Sequence, residues 1–480
     1  METALLPLLP TAPVTGHQPG TIDGVRPERQ FARMTPLATL SQKLLNGTVT
    51  SRELVDRALD AITAADGEGP RAILQYDAKR AIAAAEAVDA LKKAGYAPSP
   101  LAGIPLSVKD LFDIAGEVTT AGSVLLKNAP AAEKDAPAIA RLRRAGLILI
   151  GRTNMTEFAY SGVGLNSHYG TPKNPYDRNT GRIPGGSSSG AAVSVTDGMA
   201  AAAIGTDTGG SIRIPSALCG LTGFKPTARR IPTDGVYPLC ESLDSIGPLA
   251  PTVSCCAAID GILSGNTSRA VPELPVSGLR LAVPQAYVLD DLDQDVAKAF
   301  EAALSRLSDA GAQITEIPFE CLADIPRINA NGGIYAEAWA VHENQFGASR
   351  DQYDPRVAAR LERVSGISAT EYIKLLQARA ALIAEADDIT APFDAAILPT
   401  TPSSAPPIAA LEADEEVYVS INMRMLRNTF CFNFLDRCAL TIPMHQPDMA
   451  PSGLMVIGET MGDTRLLSAG LAIEKTIRRA

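Results

Sequence analysis

Residues 181–225, GRIPGGSSSGAAVSVTDGMAAAAIGTDTGGSIRIPSALCGLTGFK, narrow the folding options more than any other stretch. Two glycine- and serine-rich loops, GGSSSG at 185–190 and GTDTGGS at 205–211, flank a short helical segment (190–198) and a buried apolar strand (200–206). Glycines at this density let backbone N–H groups turn inward and let another group approach the chain closely. Each loop precedes a helix, so each brings unpaired N–H groups and a positive dipole end to one place. That geometry suits an anion, or an oxygen that becomes one.

Three readings compete for such loops. A phosphate loop needs lysine and then Ser or Thr directly after its last glycine. Here Gly186 and Gly210 are each followed by serine, and no lysine appears until Lys225. An oxyanion hole beside a serine nucleophile fits better; a plain connecting turn is the bland option. A serine nucleophile needs a base. The histidines are His17, His168, His342 and His445. Neither Ser187 nor Ser211 is the centre of a GxSxG elbow, and HExxH is missing. Each histidine therefore reads as a surface or hydrogen-bonded residue, and no metal site is expected. Lys109 is the alternative base. It ends the apolar run IPLSV and precedes Asp110. Position alone favours a snorkelling or Asp-paired lysine. To act as a base near neutrality its pKa has to fall by about 3 units, worth about 4 kcal/mol.

The rest of the chain supplies an alternation of strands and helices. Helical periodicity starts at 35 and recurs at 54–62, 78–93, 136–145, 293–311 and through much of 334–390. Strands are predicted at 103–109, 147–150, 200–206, 313–318 and 395–398. This alternation points to an α/β architecture around a buried sheet. Residues 1–30, rich in Pro, Gly and Thr, read as an N-terminal tail or arm, and 31–480 as one large domain without repeat or linker. Seven cysteines, an odd number without a CxxC pair, argue against a disulfide framework and favour a reducing cytoplasm. A net charge of −10 argues against nucleic acid or an anionic membrane as the main partner. No run reaches the roughly 18 apolar residues of a membrane span.

Several motifs in fixed order now resemble a known family. GIPLSVKD, GGSSSG and GTDTGGSIRIP, with TNMTEFAYSGVGLNSHYGTPKNPYD at 153–177 and NFLDRCALTIPM…PSGLMVIG at 433–458, resemble the amidase signature family over roughly residues 35–478. The resemblance implies a single large α/β/α sandwich domain with a central mixed β-sheet flanked by helices. It implies Ser211 as nucleophile, Ser187 as a bridging serine on a cis Gly186–Ser187 peptide, and Lys109 as base. The backbone N–H groups of Thr208, Gly209, Gly210 and Ser211 would form the oxyanion hole. No cofactor is implied, and a homodimer is a family-level expectation only. Asp207 and Arg213 read either as supports that fix the loop and tune Lys109 or as a structural ion pair or helix cap. Ser189 is expected to hydrogen-bond Lys109 or the backbone. Cys219 reads as core packing.

The expected activity is hydrolysis of a small, apolar or aryl amide by water, with carbamates and esters as chemically close substrates. Tyr160, Ser161, Tyr335, Trp339 and Phe430 are candidates for the pocket, with Met423, Leu426 and Phe432 nearby; helix-core packing is the competing reading for each. No basic cluster stands out in the sequence for a dicarboxylate. Two other readings remain: the amidase (glutaminase) subunit of a tRNA-dependent amidotransferase complex, and a non-catalytic binding protein on an amidase scaffold.

Overall fold

A computed structural model describes residues 34–266, 271–447 and 449–478. The tail expected at 1–30, with His17, lies outside the described residues. Eleven strands form one mixed sheet: β1 (Ile73–Gln75), β2 (Pro105–Lys109), β3 (Ile148–Thr153), β4 (Ala202–Asp207), β5 (Thr222–Lys225), β6 (Ser245–Ala250), β7 (Arg280–Pro284), β8 (Gln313–Ile317), β9 (Ala395–Pro399), β10 (Ala439–Pro443) and β11 (Gly453–Ile457). Their order is β1-β3-β2-β4-β6-β5-β10-β11-β9-β7-β8. Pairing is parallel where β2 meets β3 and β4, and antiparallel from β4 through β6, β5, β10 and β11 to β9.

Both faces of the central strands are covered. Every residue of β4 is buried. Ala202 and Ile204 join the main core, whereas Ala203 packs with Ala191, Ala192 and Val195 of the helix Ser189–Thr196. This is the two-residue alternation of a strand with helices on either side. The predicted α/β sandwich is therefore what forms, and its expected strands appear with ends displaced by a few residues.

The antiparallel half was not visible in the sequence. β6 reads SIGPLA, and a Gly-Pro pair argues against a central strand. Pro248 pairs with Ile204 of β4, and the ladder to β5, which covers Ala250 and Leu249, stops short of it. A side chain at Gly247 would place its Cβ 2.1 Å from the Phe224 carbonyl oxygen.

Two neighbouring parallel strands, β2 and β4, end on the same edge of the sheet, at Lys109 and Asp207. In open α/β sheets the carboxyl ends of parallel strands are where ligands bind. The end of β2 is held by a buried ion pair. Arg152 of β3 donates from Nε to Asp110 Oδ1 at 2.6 Å and from Nη2 to the Phe112 carbonyl at 2.9 Å. Asp110 thus pairs with Arg152 and not with Lys109, which removes the Asp-paired reading of the lysine. Removing one partner leaves the other charge buried and unpaired. Arg152→Met is expected to lower unfolding stability by about 3–5 kcal/mol, read by urea denaturation; a loss below about 1 kcal/mol would mean that Asp110 finds water or another partner.

Candidate active site

Lys109 is fully buried. Its Nζ donates to Ser187 Oγ at 2.7 Å and to Thr206 Oγ1 at 2.9 Å. Burial pushes the ammonium down to about 7, against the opposing pull of Asp244 and Asp207. An ammonium without a carboxylate at contact distance is costly to desolvate, so the lysine gives up its proton more readily. Thr206, not Ser189, supplies the second hydroxyl. This corrects the expectation for Ser189, whose buried Oγ has no hydrogen-bond partner among the described residues. Thr206 directly precedes Asp207, inside a run that reads simply as buried strand, and nothing in the sequence singled it out.

The GGSSSG loop lies against the second loop. The Gly186–Ser187 peptide is cis. Thr156 N–H donates to the Ser187 carbonyl at 3.0 Å, and Ser188 N–H donates to the Ser211 carbonyl at 3.3 Å, so the backbone joins the two loops.

The second loop is organised by one carboxylate. Asp207 Oδ1 accepts from Gly210 N–H at 2.9 Å, and Oδ2 accepts from Ile212 N–H at 3.1 Å and Arg213 N–H at 3.3 Å. Arg213 adds its Nε to Oδ2 at 3.0 Å and Nη2 to Oδ1 at 2.9 Å; both side chains are fully buried. Asn433, at the end of the helix Glu415–Phe434, donates to Oδ1 at 2.9 Å and accepts from Arg213 Nη2. Burial raises the Asp207 carboxyl, but Arg213, helped by Lys225 and Asn433, overcomes it and holds the acid well below the usual carboxylate range. Asp207 and Arg213 are thus an ion pair and a cap for the turn at the same time.

One of the four expected oxyanion donors has another acceptor in this geometry. Gly210 N–H is committed to Asp207, and Gly210, at φ 136°, is pressed so closely on Thr429 that an added Cβ would lie 2.2 Å from its Oγ1. The Thr208 hydroxyl donates to Asp244, a buried acid raised to about 6 by burial; this bond engages the side chain and not the backbone N–H. Gly209 and Ser211 are the two of the four that border the cavity. Thr429 Oγ1 donates to the Gly209 carbonyl at 2.6 Å, which fixes that peptide's orientation.

A cavity of about 420 Å³ opens over Ser211. Tyr160, Ser161, Tyr335 and Phe430 line it, with Met423 and Leu426. Tyr335 stacks at 5.1 Å on Tyr160 and at 6.1 Å on Phe430. Trp339 does not line the cavity; half-buried, it packs against the main core and edge-on to Phe346 of its own helix, 5.4 Å away, and Phe432 is buried in the core. Arg360, Arg363 and Arg427 also line the cavity, which corrects the expectation that no basic cluster is present. They come from two helices, Pro355–Val364 and Glu415–Phe434, far apart in the chain.

The described histidines lie elsewhere: His168 contacts Glu157 at 2.8 Å and His342 contacts the Tyr353 hydroxyl at 3.0 Å. Cys219 packs in the cluster beneath the loops, and all seven cysteines are free and buried. Among the described residues no group of three or more His, Cys, Asp or Glu is placed to hold a metal, and no helix is long and apolar enough to cross a membrane.

The lowered Lys109 pKa has a consequence for folding. Below about pH 7 folded and unfolded chains both hold the proton. From there to the ordinary lysine range near about 10.4 only the unfolded chain holds it, so stability rises with pH across that window. Lys225, pushed down to about 8 by burial, adds a similar rise. The expected result is that wild type gains stability relative to Lys109→Met between about pH 7 and 9.5 in urea unfolding; parallel curves would mean an unshifted lysine.

Similarity to known proteins extends over most of the chain. The family model described as Amidase matches residues 53–467. The chain is 38% identical over 407 residues to a 2-amino-5-chloromuconic acid deaminase of Comamonas testosteroni, covering 84% of this chain and 87% of that protein. It is 33% identical over 477 residues to a glutamyl-tRNA(Gln) amidotransferase subunit of Roseiflexus sp. (strain RS-1), covering 92% and 96%. A crystal structure described as that of an amidase superposes with a TM-score of 0.83 at 30% identity, over 92% of this chain and 100% of the other.

Proposed function

The chain belongs to the amidase signature family, amidohydrolases that act on C–N bonds, and from that premise we propose that it hydrolyses small amides through an acyl-enzyme on Ser211. The observation that carries this reading is the buried Lys109 Nζ, 2.7 Å from Ser187 Oγ and drawn down to about 7. With Lys109 neutral, Ser187 donates its proton to Nζ and accepts one from Ser211. The Ser211 oxygen attacks the amide carbon, and the carbonyl oxygen becomes an oxyanion held by the N–H groups of Gly209 and Ser211. A single donor of this kind is worth about 3 kcal/mol in the transition state. The relay then returns the proton to the leaving amine, the C–N bond breaks, and water releases the acid by the same route in reverse.

Tyr335, Leu426 and Phe430 crowd Gly209, each within 3.5 Å of where its Cβ would lie. They support an apolar or aromatic body for the substrate next to the reacting carbonyl. The rival reading is a glutaminase that works with partner subunits, in line with the name of the Roseiflexus relative as one subunit of an amidotransferase. It differs in outcome: glutamine would be turned over with partners present and simple amides would not.

Two results are expected on a panel of anilides, primary amides, carbamates and esters. Ser211→Ala and Lys109→Ala each lower kcat/KM by at least about 10³-fold, and Ser211→Ala abolishes labelling by a fluorophosphonate. In wild type, kcat/KM falls on the acid side with a midpoint near 7 as Lys109 gains its proton. Full turnover by Ser211→Ala, or a rate flat between about pH 5 and 9, would overturn the assignment.

A further inference from the structure

Among the described residues, the cavity over Ser211 is lined by three arginines and by no aspartate or glutamate. In a chain of net charge −10, this is a local reversal of sign. Elsewhere the most buried arginines are paired with carboxylates, Arg152 with Asp110, Arg213 with Asp207 and Arg230 with Asp260, while half-buried Arg141, Arg306 and Arg379 donate to backbone carbonyls outside the cavity. Even Arg424, one turn before Arg427 on the same helix, contacts Asp293 at 3.0 Å.

Arg360 and Arg427 are partly buried and are held by neutral groups instead. Arg360 donates to the Tyr160 carbonyl and, at 3.1 Å, to the Tyr418 hydroxyl, and it lies over both rings at 5.8 and 5.4 Å. Arg427 donates to Asn428 Oδ1 at 3.1 Å and the Val288 carbonyl at 3.3 Å, over the Tyr287 ring at 5.9 Å. Asp290 and Asp291 act on Arg427 through space, without an ion-pair contact. Carbonyls, a hydroxyl and ring faces orient a guanidinium but leave it without a carboxylate at contact distance. A fixed planar fork of this kind matches a carboxylate, and partial exclusion of water strengthens the attraction.

We propose that the substrate is an amide bearing a carboxylate at the end away from the scissile bond, received by Arg360 and Arg427, with exposed Arg363 at the cavity mouth. The inference rests on the Ser211 amidase reading and adds the charge of the substrate to it. The apolar body lies between, against Tyr335, Leu426 and Phe430.

The test compares matched amides: 4-carboxybenzamide against 4-nitrobenzamide, and glutaramic acid against pentanamide. Wild type should favour the carboxylate member of at least one pair by about tenfold or more in kcat/KM, chiefly through KM. That ratio should fall about 10- to 100-fold in Arg427→Gln or Arg360→Gln, and Arg427→Lys should keep part of it, because the charge remains while the fork is lost. The ratio is read within each variant, so a partial loss of folded protein cancels. Equal or better turnover of both neutral members by wild type, or an unchanged ratio in both Gln variants, overturns the inference and leaves the amidase reading standing. Enzyme that labels at Ser211 but turns over neither pair also counts against it. Absence of both labelling and turnover overturns the amidase reading itself.

Discussion

The Asp207 carboxylate is the interaction on which the site depends. It sits at the end of β4, and its two oxygens accept from three backbone N–H groups, from two nitrogens of Arg213 and from Asn433. Those bonds set the path of the chain from 207 to 213 and start the helix Arg213–Cys219. Because Gly210 and Ile212 are tied on either side of it, Ser211 is held at the cavity floor by backbone geometry. The arrangement is preorganised: the hydrogen bonds that shape the loop are made before any substrate arrives.

Two buried cations of the site are treated in opposite ways. Arg213 is compensated by Asp207 at contact distance. Lys109 has only hydroxyl partners, and burial draws its pKa down to about 7. The difference follows from chemistry: a guanidinium does not release its proton in a protein, whereas an ammonium does so when desolvated. The two carboxylates near Lys109 stop the fall from going further. Asp244, which takes the Thr208 hydroxyl and the N–H groups of Leu239 and Cys240, is itself raised to about 6, so its charge and that of the lysine are linked.

Much of this was legible in the sequence, and the limits have physical causes. The two loops, the helix and strand between them and the end of β2 at Lys109 are local features, written in glycine density and apolar runs. Lys109 was visible as a lysine out of place, but its partner Thr206 was not, because a threonine in a buried strand looks like any other β-branched residue. The commitment of Gly210 to Asp207 depends on how the loop closes, which spacing alone does not fix. Asn433 and Thr429 stand 226 and 220 positions from the loop residues they touch. The cavity arginines likewise come from distant helices, so only the folded chain brings these groups together. Trp339 went the other way: an aromatic near pocket residues in sequence, it packs half-buried against the main core.

We propose that Lys109 is the neutral base of this site near physiological pH. Its titration is accessible by NMR of protein labelled with ¹³C at the lysine ε-carbon, with the Lys109 resonance assigned from its absence in Lys109→Met. A midpoint near 7 is expected for that resonance, well below the bulk of the lysines at about 10.4. A Lys109 resonance that remains that of an ammonium above about pH 9.5 would contradict it.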